Sequence, residues 1–240
     1  ILGCAKREEK VLPAAVINEL VIEKVEQIEA EENRPVKKKE KDELKENILH
    51  TLLPQAFKKS SLQFAFIDQK NGWVIVNSAS FNKAEELLAL LRKSLGTLPV
   101  VPAFANYDLD VFLTDWLTKF SAPDGFAIGN DAELEEADDS GAQVKLKGHD
   151  LSCDEVKSHL ENGKRVTKLA LDWQERVKFM LQNDGSIKRM NYSETLKEEN
   201  ADIPKEDMAV KLDADFILAS EEIKQMLEEL TQGLGDADDL

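Results

Sequence analysis

The chain has 240 residues, 42% of them apolar and 32% charged, with a formal charge of −16; that is enough to bury a core in one large or two modest domains, and it excludes a chain too polar to fold. So large an excess of acid argues against nucleic-acid binding over the whole surface, so any basic site has to be local. Cys4 and Cys153 supply neither a metal-type pair nor a disulfide framework, which suits a reducing compartment, and no apolar run approaches a membrane span. The expectation is a cytoplasmic protein with no membrane partner.

The opening ILGCA reads as the end of a buried strand whose start lies upstream, as in a trimmed chain. From residue 13 to about 33, Val16, Ile17, Leu20, Val21, Val25 and Ile28 recur at helical spacing behind Pro13, a good first-turn residue. A second amphipathic helix follows Asn33-Arg34-Pro35, carries Leu44, Ile48, Leu49, Leu52 and Leu53, and should stop before Pro54. The two form an antiparallel hairpin, a finger. The run SLQFAFIDQKNGWVIVNS predicts two strands, both faces buried, around a turn at Asn71-Gly72. A helix over 82–95 closed by Gly96, the extended segment or edge strand LPVVP, and a short helix near 108–119 complete a βαβ-like layer.

Ser152-Cys153-Asp154-Glu155 has capping-box spacing and predicts a helix ending near Gly163. Strands are predicted in AQVKLK, KRVTKLALDW, ERVKFMLQ and, after Asn183-Asp184-Gly185, SIKRMNY. The end of the chain holds the apolar run DADFILAS, read as a strand, a helix over about 220–232, and an acidic tail expected to fray. The fold class is α+β: mixed or antiparallel sheets with packed helices and a protruding helical hairpin. Three regions are expected: 1–12 with 60–120 as a central α/β region, 13–59 as the finger, and 121–240 as a second α+β lobe.

Strand parity sorts the second lobe's side chains. Val144, Leu146, Leu169, Leu171, Trp173, Val177, Phe179, Leu181 and Ile187 form one apolar face. Lys145, Lys147, Lys164, Lys168, Arg176, Lys178 and Lys188 fall on the other, with few acids except Asp172. A face of one sign repels itself, and a polyanion would offset that. On the finger, Lys37, Lys41 and Lys45 stand four apart in a like-charged stripe. These ten cations are the candidate DNA-binding set. The bland alternative is the solvated side of a one-sided sheet and a solvated helix.

No catalytic or metal constellation emerges. His50, His149 and His159 are scattered, Cys153 with His159 has no zinc spacing, and Asp213-x-Asp215 reads as two solvated acids beside a strand, with the Mg²⁺ pair of a nuclease as the minor alternative. Phosphate-loop, nucleophile-elbow and dinucleotide motifs are missing. The expectation is a non-enzymatic protein without cofactor, and lysine's excess over arginine favours sequence-independent contacts.

The runs LLPQAF, KAEELLALLRKSLGTLPVVP, VTKLALDWQERV, NDGSIKR and LDADFILAS, in this order, resemble the bacterial recombination-associated protein RdgC family over essentially the whole chain, without the family's amino-terminal segment. The resemblance implies a ring-shaped homodimer of curved subunits around a basic hole that takes duplex DNA without sequence preference. It also implies antagonism of recombinase loading, a part in replication-fork repair, and association with the nucleoid. Phe57 of LLPQAF matches the family's aromatic at a subunit contact that gates the ring, and Lys164 a basic residue near the DNA-facing region. Where the family has a lysine and a glutamine before Asp-Leu, at a second contact, this chain has Gly148 and His149, with Lys147 beside them. A different class stays open: an acidic interaction scaffold or chaperone, without direct DNA contact, that grips a basic partner.

Overall fold

A computed structural model describes residues 1–78, 80–137, 141–204 and 207–235; most of the acidic tail expected to fray lies outside them. Two compact units divide the chain, Ile1–Gly96 and Thr97–Leu240. The fold is α+β, with two antiparallel sheets among the described residues.

In the first unit, β1 (Leu2–Val11) pairs antiparallel with β2 (Phe57–Asp68) from Leu2 opposite Phe66 to Val11 opposite Phe57. The short β3 (Trp73–Val76) covers only the last four residues of β2. The distal half of the ribbon is therefore two strands wide, and the first six residues of β2 are exposed; of the strand residues expected to be buried on both faces, Ser61 and Leu62 are exposed, Ala65 and Asp68 are buried and the rest are half-buried. Between β2 and β3, Asp68 Oδ1 accepts from the backbone N–H groups of Lys70 and Asn71 at 3.0 and 3.4 Å, and Gly72 takes the positive φ that the sequence anticipates.

The finger joins β1 to β2. Helices α1 (Ala14–Glu32) and α2 (Lys38–Leu52) pack on each other, about 28 and 22 Å long at about 1.5 Å per residue. Burial is confined to Ile17, Val25 and, in the connection, Val36. The turn is built by polar contacts: Asn33 adopts the left-handed conformation, Val36 N–H donates to Glu29 Oε1 at 2.8 Å, and Arg34 binds Glu40 through two bonds of 2.8 Å. After β3, helix α3 (Phe81–Leu95) is closed by Gly96 and tied to the ribbon by the Arg7–Glu86 ion pair. The ribbon is wholly antiparallel and LPVVP forms no strand, so the βαβ-like expectation is overturned: strands joined through a finger pair as a long hairpin and need no crossover.

The second unit is organised on a five-stranded antiparallel sheet, order β5-β4-β6-β7-β8, made of β4 (Phe126–Glu135), β5 (Gln143–Leu146), β6 (Arg165–Trp173), β7 (Val177–Gln182) and β8 (Ile187–Tyr192). Four of these are the strands predicted from the sequence; β4 is not among them, because its alternation is broken by Gly129-Asn130-Asp131. One face is buried, with Ala132, Leu134, Val166, Leu169, Leu171, Trp173, Val177, Phe179 and Leu181 in the core, each large side chain contributing about 1.5–3 kcal/mol on full burial. Helix α4 (Leu109–Lys119) packs Leu109, Leu113, Trp116 and Leu117 into this core along β6.

Helix α5 (Asp154–Glu161) buries Val156. Its N-cap is Cys153, and Ser152 turns its hydroxyl to Asp150 Oδ1 at 2.6 Å, so the expected capping box does not form. After α6 (Glu194–Glu198) comes α7 (Met208–Leu234), one helix of 27 residues. DADFILAS is thus helical and not a strand; continuous backbone bonding into the following amphipathic turns outweighs its β-rich composition. Met226, Leu227, Leu230 and Leu234 of α7 are core, and Glu229 Oε2 accepts from Trp173 Nε1 at 2.7 Å. None of the described helices is long and apolar enough to cross a membrane.

Gly233 shows how closely α7 is seated: a Cβ there would lie 2.4 Å from Pro123 Cβ. Alanine in a helix normally gains up to about 1 kcal/mol over glycine. Here Gly233→Ala is expected to lose about 1–3 kcal/mol to overpacking, read as a lower urea midpoint at constant m-value; a raised midpoint would contradict this packing.

Candidate nucleic-acid interface

The open face of the second sheet carries Lys145, Lys168, Lys178 and Lys188 from strands β5 to β8, as parity predicts. The missed strand changes its electrostatics. β4 runs between β5 and β6 and sets Glu133 opposite both Lys145 and Lys168. Glu133 accepts from Lys168 at 2.6 Å and lies 3.8 Å from Lys145. Lys178 stands 3.5 Å from Asp172, its cross-strand partner, and Arg189 3.4 Å from Asp131. The sheet's own carboxylates therefore offset the self-repulsion that sequence reading reserved for a ligand.

Height separates the two signs. The side chains of Lys145, Lys178 and Arg189 are 63, 70 and 68% exposed, against 21, 20 and 28% for Glu133, Asp172 and Asp131. Short acids sit near the backbone while long stems carry the cationic heads outward, so an approaching anion meets ammonium and guanidinium groups first. Arg189 was not singled out by parity, because it sits where the β7–β8 register slips, with φ of 54°; such a bulge re-aims a side chain.

Other expected cations lie elsewhere. Lys164 precedes β6, its side chain only 11% exposed and paired with Glu136. Arg176 leaves the strand alternation in the β6–β7 turn and grips Glu222 of α7 through bonds of 2.8 and 2.5 Å. Sequence parity had both on the open face; a turn and a strand entry do not obey alternation. Lys147 is exposed just past β5, and neither it nor Lys188 has an ion-pair partner among the described residues. On the finger, Lys37, Lys41 and Lys45 are exposed, likewise without an ion pair among the described residues, while Glu40 is drawn to Arg34.

Phe57 is 87% exposed at the first position of β2. His149 sits after β5, where the loop is fastened to the β4 bulge: Gly148 N–H donates to Asp131 Oδ1 at 2.8 Å and His149 N–H to Asn130 O at 2.9 Å. Its Nδ1 lies 3.9 Å from Cys153 Sγ. Asp213 and Asp215 occupy helix α7, where residues two apart point about 200° from each other, and Asp215 accepts from Asn200 at 3.0 Å. They do not converge on an ion.

The hydrogen bond from Lys168, ahead of any other influence, holds the Glu133 carboxyl below the usual carboxylate range, with Lys145 and Arg189 adding to it.

These features define an α+β architecture without a membrane-crossing helix among the described residues, with a charged open sheet face in one unit and a helical hairpin in the other. A family model described as "Putative exonuclease, RdgC" matches residues 1–237. The Recombination-associated protein RdgC of Pseudoalteromonas translucida (strain TAC 125) is 92% identical over 240 residues, all of this chain and 79% of the relative. Those of Yersinia enterocolitica serotype O:8 / biotype 1B and Yersinia pestis (strain Pestoides F) are 47 and 46% identical over 235 residues, 98% of this chain and 78% of each relative. The chain belongs to the RdgC family, whose named members here are recombination-associated proteins.

Because the folded pKa of Glu133 is depressed, its stabilisation is full above about pH 4.3, the ordinary unfolded value, and is lost as pH falls through the folded value. Glu133→Gln is expected to cost on the order of 1 kcal/mol at pH 7 and to lose less than the parent on going to pH 3. Urea melts at both pH values check this, and parallel losses would refute it.

Proposed function

We propose that the chain is a non-enzymatic, sequence-independent double-stranded-DNA-binding protein that acts in recombination as a ring-shaped homodimer around duplex. The observation that carries the reading is the tier of exposed cations, Lys145, Lys178 and Arg189, with half-buried Lys188 beside them, standing above recessed carboxylates in a chain of charge −16. Phosphates displace counterions from such a tier without any base being read. Lys147 and the finger stripe Lys37, Lys41 and Lys45 extend the basic set, while the acidic remainder discourages loose contact elsewhere.

The name carried by the relatives supports a part in recombination. Exposed Phe57 supports a subunit contact, since an aromatic of this exposure at a ribbon end is the kind of anchor an isologous interface buries. His149, fastened to the β4 bulge, is the proposed residue at a second contact.

Random-sequence duplex binding should weaken steeply with salt, log K falling by about 0.9 per phosphate neutralised for each unit of log salt. A flat response rejects the reading, and pull-down of a partner that survives nuclease treatment favours the protein-scaffold alternative instead. Reversing Lys145, Lys178 and Lys188 to Glu should abolish binding with the oligomer intact, whereas Glu133→Gln, by releasing Lys168, should tighten it by about fivefold, on the order of 1 kcal/mol. Release of nucleotides from end-labelled duplex with Mg²⁺ would overturn the non-enzymatic part. Phe57→Ser should shift the mass in solution toward monomer without loss of helicity; equal loss of both would mark Phe57 as a folding residue.

A further inference from the structure

The open face is not flat. On β4, three residues, Gly129, Asn130 and Asp131, stand opposite the single residue Ala170 of β6, and a second irregularity lifts Arg189 out of β8. β4 and β8 are three strand intervals apart, roughly 14 Å at about 4.8 Å each, yet Asp131 Oδ2 and Arg189 Nη1 approach to 3.4 Å. The two bulges thus throw an ion pair across β6 and β7. Beside it lies a cavity of about 380 Å³ lined by Ala127, Gly129, Ala170, Asp172, Lys178 and Met180 among others. Glycine is required at 129, since a Cβ would sit 2.9 Å from Ala170 Cβ. Asp172 Oδ1 is buried there with no hydrogen-bond partner, alone in this among the buried side-chain polar atoms of the described residues.

We propose that this cavity is a base pocket for a guanine nucleotide, free or unstacked from a DNA strand. The proposal rests on the nucleic-acid reading above and adds a ligand that phosphate contacts alone do not explain. A recessed carboxylate repels phosphate, so what it accepts is a hydrogen-bond donor, and a buried acceptor without one is costly. Guanine presents two adjacent donors, N1–H and the 2-amino group, matching the two oxygens of Asp172 once its carboxylate turns to bring Oδ1, closed off from solvent in the free chain, into the cavity, while O6 and N7 face outward as acceptors for the guanidinium of Arg189, the usual pairing of Arg with this base. Adenine and cytosine put an acceptor nitrogen next to their amino group, and thymine flanks its one donor with two carbonyls; each sets a lone pair against the carboxylate. The small apolar floor of Ala127, Gly129 and Ala170, with Met180, accommodates a flat ring. Lys178 at the rim reaches a phosphate on leaving Asp172, as enzymes that read an extruded base combine edge contacts with backbone charge.

The test is calorimetric titration of the whole chain with GMP, AMP and CMP at one ionic strength, alongside the duplex salt titration. GMP is expected to bind at least about tenfold tighter than the other two. Asp172→Asn, near-isosteric but with a donor where the second acceptor stood, should lose at least that factor without weakening duplex binding. Ala170→Leu, which fills the floor, should also lose GMP; melting temperatures verify folding of both variants. Equal affinity for the three nucleotides would reduce the site to phosphate attraction and overturn the proposal, as would GMP binding unchanged in Asp172→Asn, or no binding at millimolar GMP while duplex still binds. A thymine oligonucleotide with one guanine, compared with one without, identifies the source: tighter binding of the former assigns an unstacked base, and GMP binding without that difference assigns the free nucleotide. Loss of duplex binding with GMP binding retained would strike the preceding reading alone.

Discussion

Glu133 lies between Lys145 and Lys168 on the two strands that flank its own, and its carboxylate is what permits a sheet to hold ammonium groups side by side on one face. Like charges on neighbouring strands destabilise pairing; an acid placed one level lower offsets them without covering the outer surface. The same arrangement repeats at Asp172 with Lys178 and at Asp131 with Arg189. Electrostatic order on this face is therefore vertical. Its cations are held in place by the protein and still presented to an incoming anion.

That face exists because the other is sealed. Helix α4 packs on the apolar side of the sheet along β6, and α7 is locked by groups that leave little freedom: Trp173 and Gln174 donate to Glu229, Arg176 forks onto Glu222, and Gly233 admits Pro123. The β6–β7 turn between these donors holds Gln174 and Glu175 at positive φ, a conformation that costs non-glycine residues energy and that the contacts to α7 maintain. An arginine that strand parity would assign to ligand binding is spent here on architecture. Exposure alone would not have told the two uses apart; the partner's identity does.

In the first unit, the finger buries little, so its geometry depends on polar closure at the turn. Arg34 collects Glu32 and Glu40, and Glu29 satisfies the N–H of Val36. Drawing Glu40 toward Arg34 leaves the Lys37, Lys41 and Lys45 stripe less compensated than the mixed composition of α2 suggests. The ribbon beneath narrows to two strands, which places Phe57 in solvent.

Local pattern was sufficient for much of this. Helical spacing marked α1, α2, α3, α4 and α5 to within a few residues, strand parity sorted the apolar side of β5, β6, β7 and β8, and a series of ordered motifs carried the family resemblance; all are properties of neighbours along the chain, where periodicity and turn chemistry act directly. What alternation could not reveal was β4, whose three-residue bulge breaks period two, nor the helical state of DADFILAS, which depends on the turns after it. The meeting of Glu133 with two lysines, the diversion of Lys164 and Arg176 into ion pairs, and the reach of Asp131 to Arg189 were decided only in three dimensions. Those contacts join residues from 12 to 58 positions apart, and no local rule says which strand lies between which others until the sheet has closed.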